Sequence, residues 1–318
     1  MPTVTVTCAG ETATVTYGAV ATVLRDFTAN NGTIAAMLKG STAAGTWTLA
    51  PMSSTKAALA NALTAGQTNP YYLLRTPRTA GLTLANLTIT GTPQGHDYGG
   101  LMIDHCDSAT LTDSRITAIP GSSSSPPGET FGVNVYGGTS VTLTRVEIDG
   151  AGVTASGIGV NSATAVELDD CYVHDCPHGM PTFWQTNGVT TRNLRSINNH
   201  LGVNHERVTG PVRHYGLELD VPAKTGQMHL TLNNDQADNP DVEIHLARWA
   251  GGHYGATGPL CVMISDGYRG AQKQTSLPRI YGPNGNLLQW ADAGSATVKA
   301  VNVAAALANP TGWAVRFH

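Results

Sequence analysis

At 318 residues and 41% apolar, the chain is long enough for two or three domains and carries ample material for a core. Its net charge of −4 leaves no electrostatic footprint for DNA or RNA, and no stretch approaches the ~18 consecutive apolar residues of a membrane-spanning helix. A charged fraction of 13%, with 36 glycines and 4 phenylalanines, describes an all-β protein built on small and β-branched residues.

Residues 1–70 read as an N-terminal attachment or cap region. Met1 opens directly onto the alternating Thr3-Val4-Thr5-Val6-Thr7, without the basic and then apolar leader of a secretory signal, so conventional export is not expected. Further on, Ser53 or Ser54 is placed to cap a helix over about residues 55–65, with Gly66 in the stop position and Pro70 just beyond. That helix would gather Ala58, Leu59, Ala62 and Leu63 on one face, which suits a plug over the open end of a repeat.

From Leu74 to Ser196 one pattern recurs five times. Two inward residues flank an outward one, a second such triplet starts eight residues after the first, and a third starts five residues after the second. Leu74, Leu101, Val133, Ile158 and Pro181 open the first triplets; Leu82, Ala109, Val141, Val166 and Val189 open the second; Leu87, Ser114, Val146, Cys171 and Leu194 open the third. Of the 30 inward positions 25 are apolar, against about 12 expected from the composition. Among the sandwiched positions only Met102 and Tyr172 are apolar, as strands with one buried face require.

The spacing predicts a parallel β-helix in which equivalent residues of successive turns stack. Thr83, Thr110, Thr142, Glu167 and Thr190 form one outward column, and Thr88, Arg115, Glu147, Tyr172 and Arg195 another, with Arg115 facing Glu147. The two residues between the second and third triplets end in Asn86, Asp113, Arg145, Asp170 and Asn193, where a sharp corner needs left-handed backbone. Turn length varies as 27, 32, 25 and 23 residues, and the insertions fall between the third triplet and the next first one, as in the serine- and proline-rich run 121–130.

After Ser196 the register loosens, and Leu201, Val203, Val208, Val212, Leu217 and Leu219 suggest a sixth or seventh irregular turn, closing the β-helix of residues 71–221. Beyond Pro222 come separate strands near 228–232, 242–246, 260–264, 277–281, 287–290, 297–303 and 313–317. Gly251-Gly252 and Pro283-Asn284-Gly285 between them predict antiparallel hairpins, hence a sandwich-like C-terminal domain over 222–318.

Stacking converts spacing into a candidate site. Asp149 and His174 both follow the last inward residue of a third triplet, so they should be neighbours, with Glu147 and Asp175 alongside. Such a carboxylate and histidine cluster is what general acid-base cleavage of a glycan uses, and a solvated polar ladder uses the same residues. Trp184, Trp249, Tyr254 and Tyr268 are candidate sugar-stacking platforms, with packing as the competing use of each. A second concentration, His200, His205, Glu206, Arg207 and His214, lacks the spacing of a metalloprotease helix. Cys171, His174, Cys176 and His178 place soft ligands near one another, but the cysteine spacing is looser than structural zinc sites use, so no metal is expected. The chain has no nucleophile elbow, phosphate loop or dinucleotide fingerprint, and no cofactor is expected.

The turns of residues 74–196, their Asn/Asp corner and the preceding Ala57-Ala58-Leu59-Ala60-Asn61-Ala62-Leu63 segment resemble the right-handed β-helix superfamily of pectate lyases and phage tailspikes. The likeness covers about two fifths of the chain and transfers no catalytic residues, since the lyases' calcium-binding aspartates and arginine base have no counterpart. The order of N-terminal region, β-helix and C-terminal β-domain is most similar to a phage tailspike or minor tail protein. That likeness implies a homotrimer in the virion tail, assembled in the host cytoplasm, touching other tail proteins and binding a host surface glycan. It implies neither nucleic-acid binding nor membrane insertion, and its enzymatic alternative is a glycoside hydrolase or polysaccharide lyase.

Overall fold

The computed structural model describes residues 4–9, 12–17, 20–25, 32–41, 46–55, 72–75, 80–85, 87–90, 99–119, 131–152, 156–177, 179–233, 241–264, 277–294 and 300–317, with side chains from residue 80 onward except at Thr90 and Ser156. These residues form a parallel β-helix. The first triplets lie in Tyr72–Arg75, Gly99–Asp104, Phe131–Tyr136, Ser156–Asn161 and Thr182–Trp184, each paired in parallel with the next. The second and third triplets form the other two faces, and in Thr110–Thr117 and Thr142–Asp149 one strand runs through the corner between them.

The observed register is the one expected: Leu111 pairs with Leu143, Ser114 with Val146, Glu147 with Tyr172 and Asp149 with His174. Every inward position from Leu82 to Ser196 is buried, including the polar Ser114, Thr191 and Ser196. Each of these hydroxyls finds a partner. Ser114 Oγ accepts from the Leu87 N–H at 3.0 Å and donates to Thr112 O at 2.7 Å, so a polar group enters the core without an unmet hydrogen bond. The corner residues Asp113, Arg145, Asp170 and Asn193 have φ of 50°, 51°, 50° and 51°, left-handed as expected. Asn86 and the run 121–130 lie outside the described residues.

A glycine column stands beside the core. Gly100, Gly132 and Gly157 each precede a first triplet, and a Cβ on them would sit 2.9 Å, 2.7 Å and 2.3 Å from side-chain methyls of Ile116, Ile148 and Val173. The backbone itself packs there against the last inward residue of the third face. On the same strands the outward Met102 and Asn134 are also buried, and the Asn161 amide donates to Asn134 Oδ1 at 2.6 Å.

In the N-terminal region the strand Val4–Ala9 pairs antiparallel with Thr12–Tyr17 and parallel with Thr88–Thr90, while Gly32–Ser41 pairs antiparallel with Thr46–Thr55 and parallel with Tyr72–Arg75. The edges of the first turn are therefore met by hairpins. Of the expected helix, residue 55 closes a strand and residues 56–65 lie outside the described residues.

The irregular stretch after Ser196 is a regular sixth turn in disguise. Its inward residues are Val203, His205, Val212, His214, Leu217 and Leu219, all buried. Two imidazoles stand where the pattern wants aliphatics, and one extra residue near Gly210 shifts the register between Asn187 and Val189. The C-terminal strands differ from expectation. Leu230–Asn233, Leu260–Ile264 and Trp313–Phe317 extend the first face in parallel, Val242–Ala250 extends the second and third in parallel, and Arg279–Tyr281 extends the second. The described antiparallel contacts there are isolated bridges, Tyr281 with Leu287 and Asp292 with Val301. Longer loops between strands look like hairpin punctuation in sequence, but each strand finds its partner one turn away. A short helix, Val303–Ala308, follows, and no helix among the described residues is long and apolar enough to cross a membrane.

Candidate functional site

The third face carries the cluster anticipated from the stacking. Glu147 and Asp149 sit two apart on Thr142–Asp149, so both point outward, and His174 follows one turn later. His174 Nδ1 lies 2.7 Å from Asp175 Oδ2, and Nε2 lies 3.2 Å from Glu147 Oε1. Asp149 Oδ1 is 4.0 Å from the same Nδ1. The imidazole is stacked on Tyr172 at 4.1 Å between ring centroids, a side chain two residues away on the same face. Asp175 is held below the ordinary carboxylate range, first by its hydrogen bond to His174 and then by Asn198, whose amide donates at 2.6 Å.

The expected residues are thus together, and a cation joins them across the strands. Arg115 donates to Asp149 Oδ2 at 2.8 Å and lies 3.4 Å from Glu147 Oε1. Sequence reasoning paired Arg115 with Glu147 but missed its diagonal reach to Asp149, two positions along the neighbouring strand, and missed Asn198, one turn beyond Asp175. Extending the Asp175 column by one turn brings Asn198 into line, while the diagonal of Arg115 crosses between columns. The ladder continues: Arg195 lies over the Tyr172 ring at 4.2 Å and donates to Glu218 at 2.9 Å, and Arg248 reaches the same carboxylate. Burial opposes ionisation of Glu218, but Arg248 and Arg195 outweigh it and hold the carboxyl below its usual range.

Beside this cluster a surface groove of about 360 Å³ runs along the corner, lined by Leu87, Thr88, Asp113, Ser114, Arg115, Arg145 and Glu147. Arg145 grips Asp113 through two nitrogens, at 2.6 Å and 2.9 Å. The groove therefore offers donors and acceptors that are already positioned by one another. Ligand atoms of Glu147, Asp149 and His174 lie within 4.8 Å of one another, a spacing open to a metal ion, though the Arg115 guanidinium already pairs with both carboxylates.

The other sequence candidates go elsewhere. Trp184 is half-buried on the first face, Trp249 packs on the core with its indole N–H donating to Gly258 O at 3.1 Å, and Tyr254 packs on a small C-terminal cluster. Tyr268 and His178 lie outside the described residues. Cys171 and Cys176 are buried, and burial pushes the Cys171 thiol up to about 12 and the Cys176 thiol up as well, so neither is a ready thiolate ligand. In the second histidine concentration His205 and His214 turn into the core, while His200 is exposed.

Residues 78–239, about half of the chain, match the family model described as a right handed beta helix region. No curated protein and no solved structure matches the chain. With the parallel pairing observed through the same residues, the chain belongs to the right-handed β-helix family.

Proposed function

We propose that this chain is a structural protein of a bacteriophage tail, a tailspike or minor tail protein, that binds envelope glycan along the corner groove of its β-helix. The observation that carries the reading is the groove itself: Asp113, Arg115, Arg145 and Glu147 are tied to each other or to a residue one turn away, which fixes hydrogen-bonding groups on a rigid shaft. Pre-positioned polar groups bind a hydroxylated polymer without first paying side-chain entropy. A homotrimer in the virion, in contact with other tail proteins, belongs to the same proposal. Purified chain should bind lipopolysaccharide or capsular polysaccharide preparations from the host, with Arg115→Ala and Arg145→Ala weakening retention together, and antibody to the chain should label tail particles. A monomer with no particle association and no glycan retention rejects the reading.

A polysaccharide-degrading activity is favoured by one observation, the contact of His174 with Asp175 and Glu147 beside Asp149. A histidine held between carboxylates is equipped to move a proton at a glycosidic oxygen. Release of reducing or unsaturated ends from those polysaccharides, lost in Asp149→Asn and His174→Ala, would select this reading.

A further inference from the structure

We propose that the sixth and seventh turns are an acid-releasable joint in the solenoid, in which protonation of three buried imidazoles opens these turns while the turns before them stay folded. His205 and His214 occupy inward columns that the adjoining turns fill with Phe183 and Leu232, and with Thr191 and Ile244. They meet Nε2 to Nε2 at 2.9 Å, and His214 Nδ1 lies 2.7 Å from Thr191 Oγ1. His205 is stacked on the Phe183 ring at 5.2 Å, and its Nδ1 is fully buried with only the Thr231 backbone to turn to. One shared N–H satisfies this pair when both rings are neutral. A second proton would be a bare charge in a hydrocarbon setting.

His229 makes the same case independently at the start of the seventh turn, formed by Leu230–Asn233 and Val242–Ala250, which the eighth follows from Leu260–Ile264. Its Nε2–H donates to Ala250 O at 3.0 Å, and its Nδ1 accepts from the Cys261 N–H at 3.0 Å. Those two bonds need the neutral tautomer, because a proton on Nδ1 would face another N–H. The ring lies close against the Gly252 backbone, where a Cβ would sit 2.5 Å from His229 Cε1. His229 thereby ties the sixth, seventh and eighth turns together through Val203 N–H to His229 O, Ala250 and Cys261.

No counter-charge faces any of the three. The strands packed about His205 and His214 present Phe183, Thr191, Leu232 and Ile244 inward, while Glu206, Arg213 and Glu243 hold positions between inward residues on the solvent side. Cys261 is the titratable neighbour of His229, and burial keeps it a neutral thiol, raised to about 11. Burial depresses His205 and His229 to about 4 and lowers His214 as well. Among the described residues these are the only buried histidines, and the turns from 101 to 174 have none.

The test is amide hydrogen exchange of the full chain, corrected for intrinsic rate, from pH 7 to pH 4. Peptides covering 203–264 should open about 10-fold more per pH unit for each imidazole that takes up a proton, while peptides covering 101–174 keep their protection. The double variant His205→Leu/His214→Ile restores residue types found in the adjoining turns and should flatten that slope. His229→Gln retains a donor and an acceptor without titrating, and by itself should lower the slope by one proton if the double variant does not fold. Uniform loss of protection along the solenoid overturns the proposal, as does an unchanged slope in His229→Gln.

Discussion

Placing a methyl group on Gly132 tests the idea that the glycine column lets the first face pack directly on the third. Gly132 is not in the left-handed region, so alanine meets no backbone penalty there, and the effect of the substitution is steric. The new Cβ would lie 2.7 Å from Ile148 Cγ2, 3.2 Å from its Cδ1 and 3.3 Å from Gly157 O. Ile148 is fully buried, so it cannot swing out into solvent to make room. Overpacking of this kind costs about 1–3 kcal/mol, offset by up to ~1 kcal/mol because alanine narrows the unfolded ensemble. Gly132→Ala should therefore lose about 1–2 kcal/mol. Ile148→Ala should lose about 2–5 kcal/mol through the cavity it leaves. In the double variant the two faults cancel in part, since the added methyl occupies the space the isoleucine branches vacate, and the coupling should be about 1–2 kcal/mol. Urea unfolding followed by far-ultraviolet circular dichroism, with midpoints compared at a common slope, measures all four corners of the cycle. If the double variant equals the sum of the singles within ~0.5 kcal/mol, the close approach is not what these glycines provide.

Three further outcomes follow from the same structure. Stability should be full above pH 6.5 and fall as pH drops toward 4, because the unfolded chain takes up protons that buried His205 and His229 refuse; about 3 kcal/mol is at stake for His229, read as the loss of the urea midpoint between pH 7 and pH 4 and absent in His229→Gln. Cys171 and Cys176 should resist alkylation by iodoacetamide in the native state at neutral pH and react once urea unfolds the chain, with mass spectrometry of peptides locating the adducts; rapid native labelling would contradict their burial and raised thiol ionisation. Asn161→Ala should cost about 1–3 kcal/mol in the same unfolding assay by leaving Asn134 Oδ1 buried without its donor, and a neutral result would mean that another group satisfies it.

Much of the fold was legible because the repeat imposes two simple constraints. Inward residues must be apolar or locally satisfied, and corners must accept left-handed backbone; Arg145 meets the second by gripping Asp113 below it. The sixth turn was legible only as an irregular one, because His205 and His214 break the apolar signal and the extra residue near Gly210 breaks the count. The C-terminal strands were read as hairpins because glycine turns and long loops carry no record of which strand is the partner. The glycines before the first triplets of turns two to four, by contrast, were visible and their meaning was not: only the approach of Ile116, Ile148 and Val173 gives them one.

By itself the sequence determined the register of turns one to five, the outward columns, and so the adjacency of Glu147, Asp149, His174 and Asp175, since a fixed spacing turns position along the chain into position in space. Tertiary structure decided what lies between columns. Arg115 reaches diagonally to Asp149, Asn198 closes on Asp175, Trp249 and Tyr254 pack in part against buried clusters, and two histidines enter the core. Side-chain reach and the partner of a strand after a long loop depend on three-dimensional neighbours, and periodicity along one chain does not encode them.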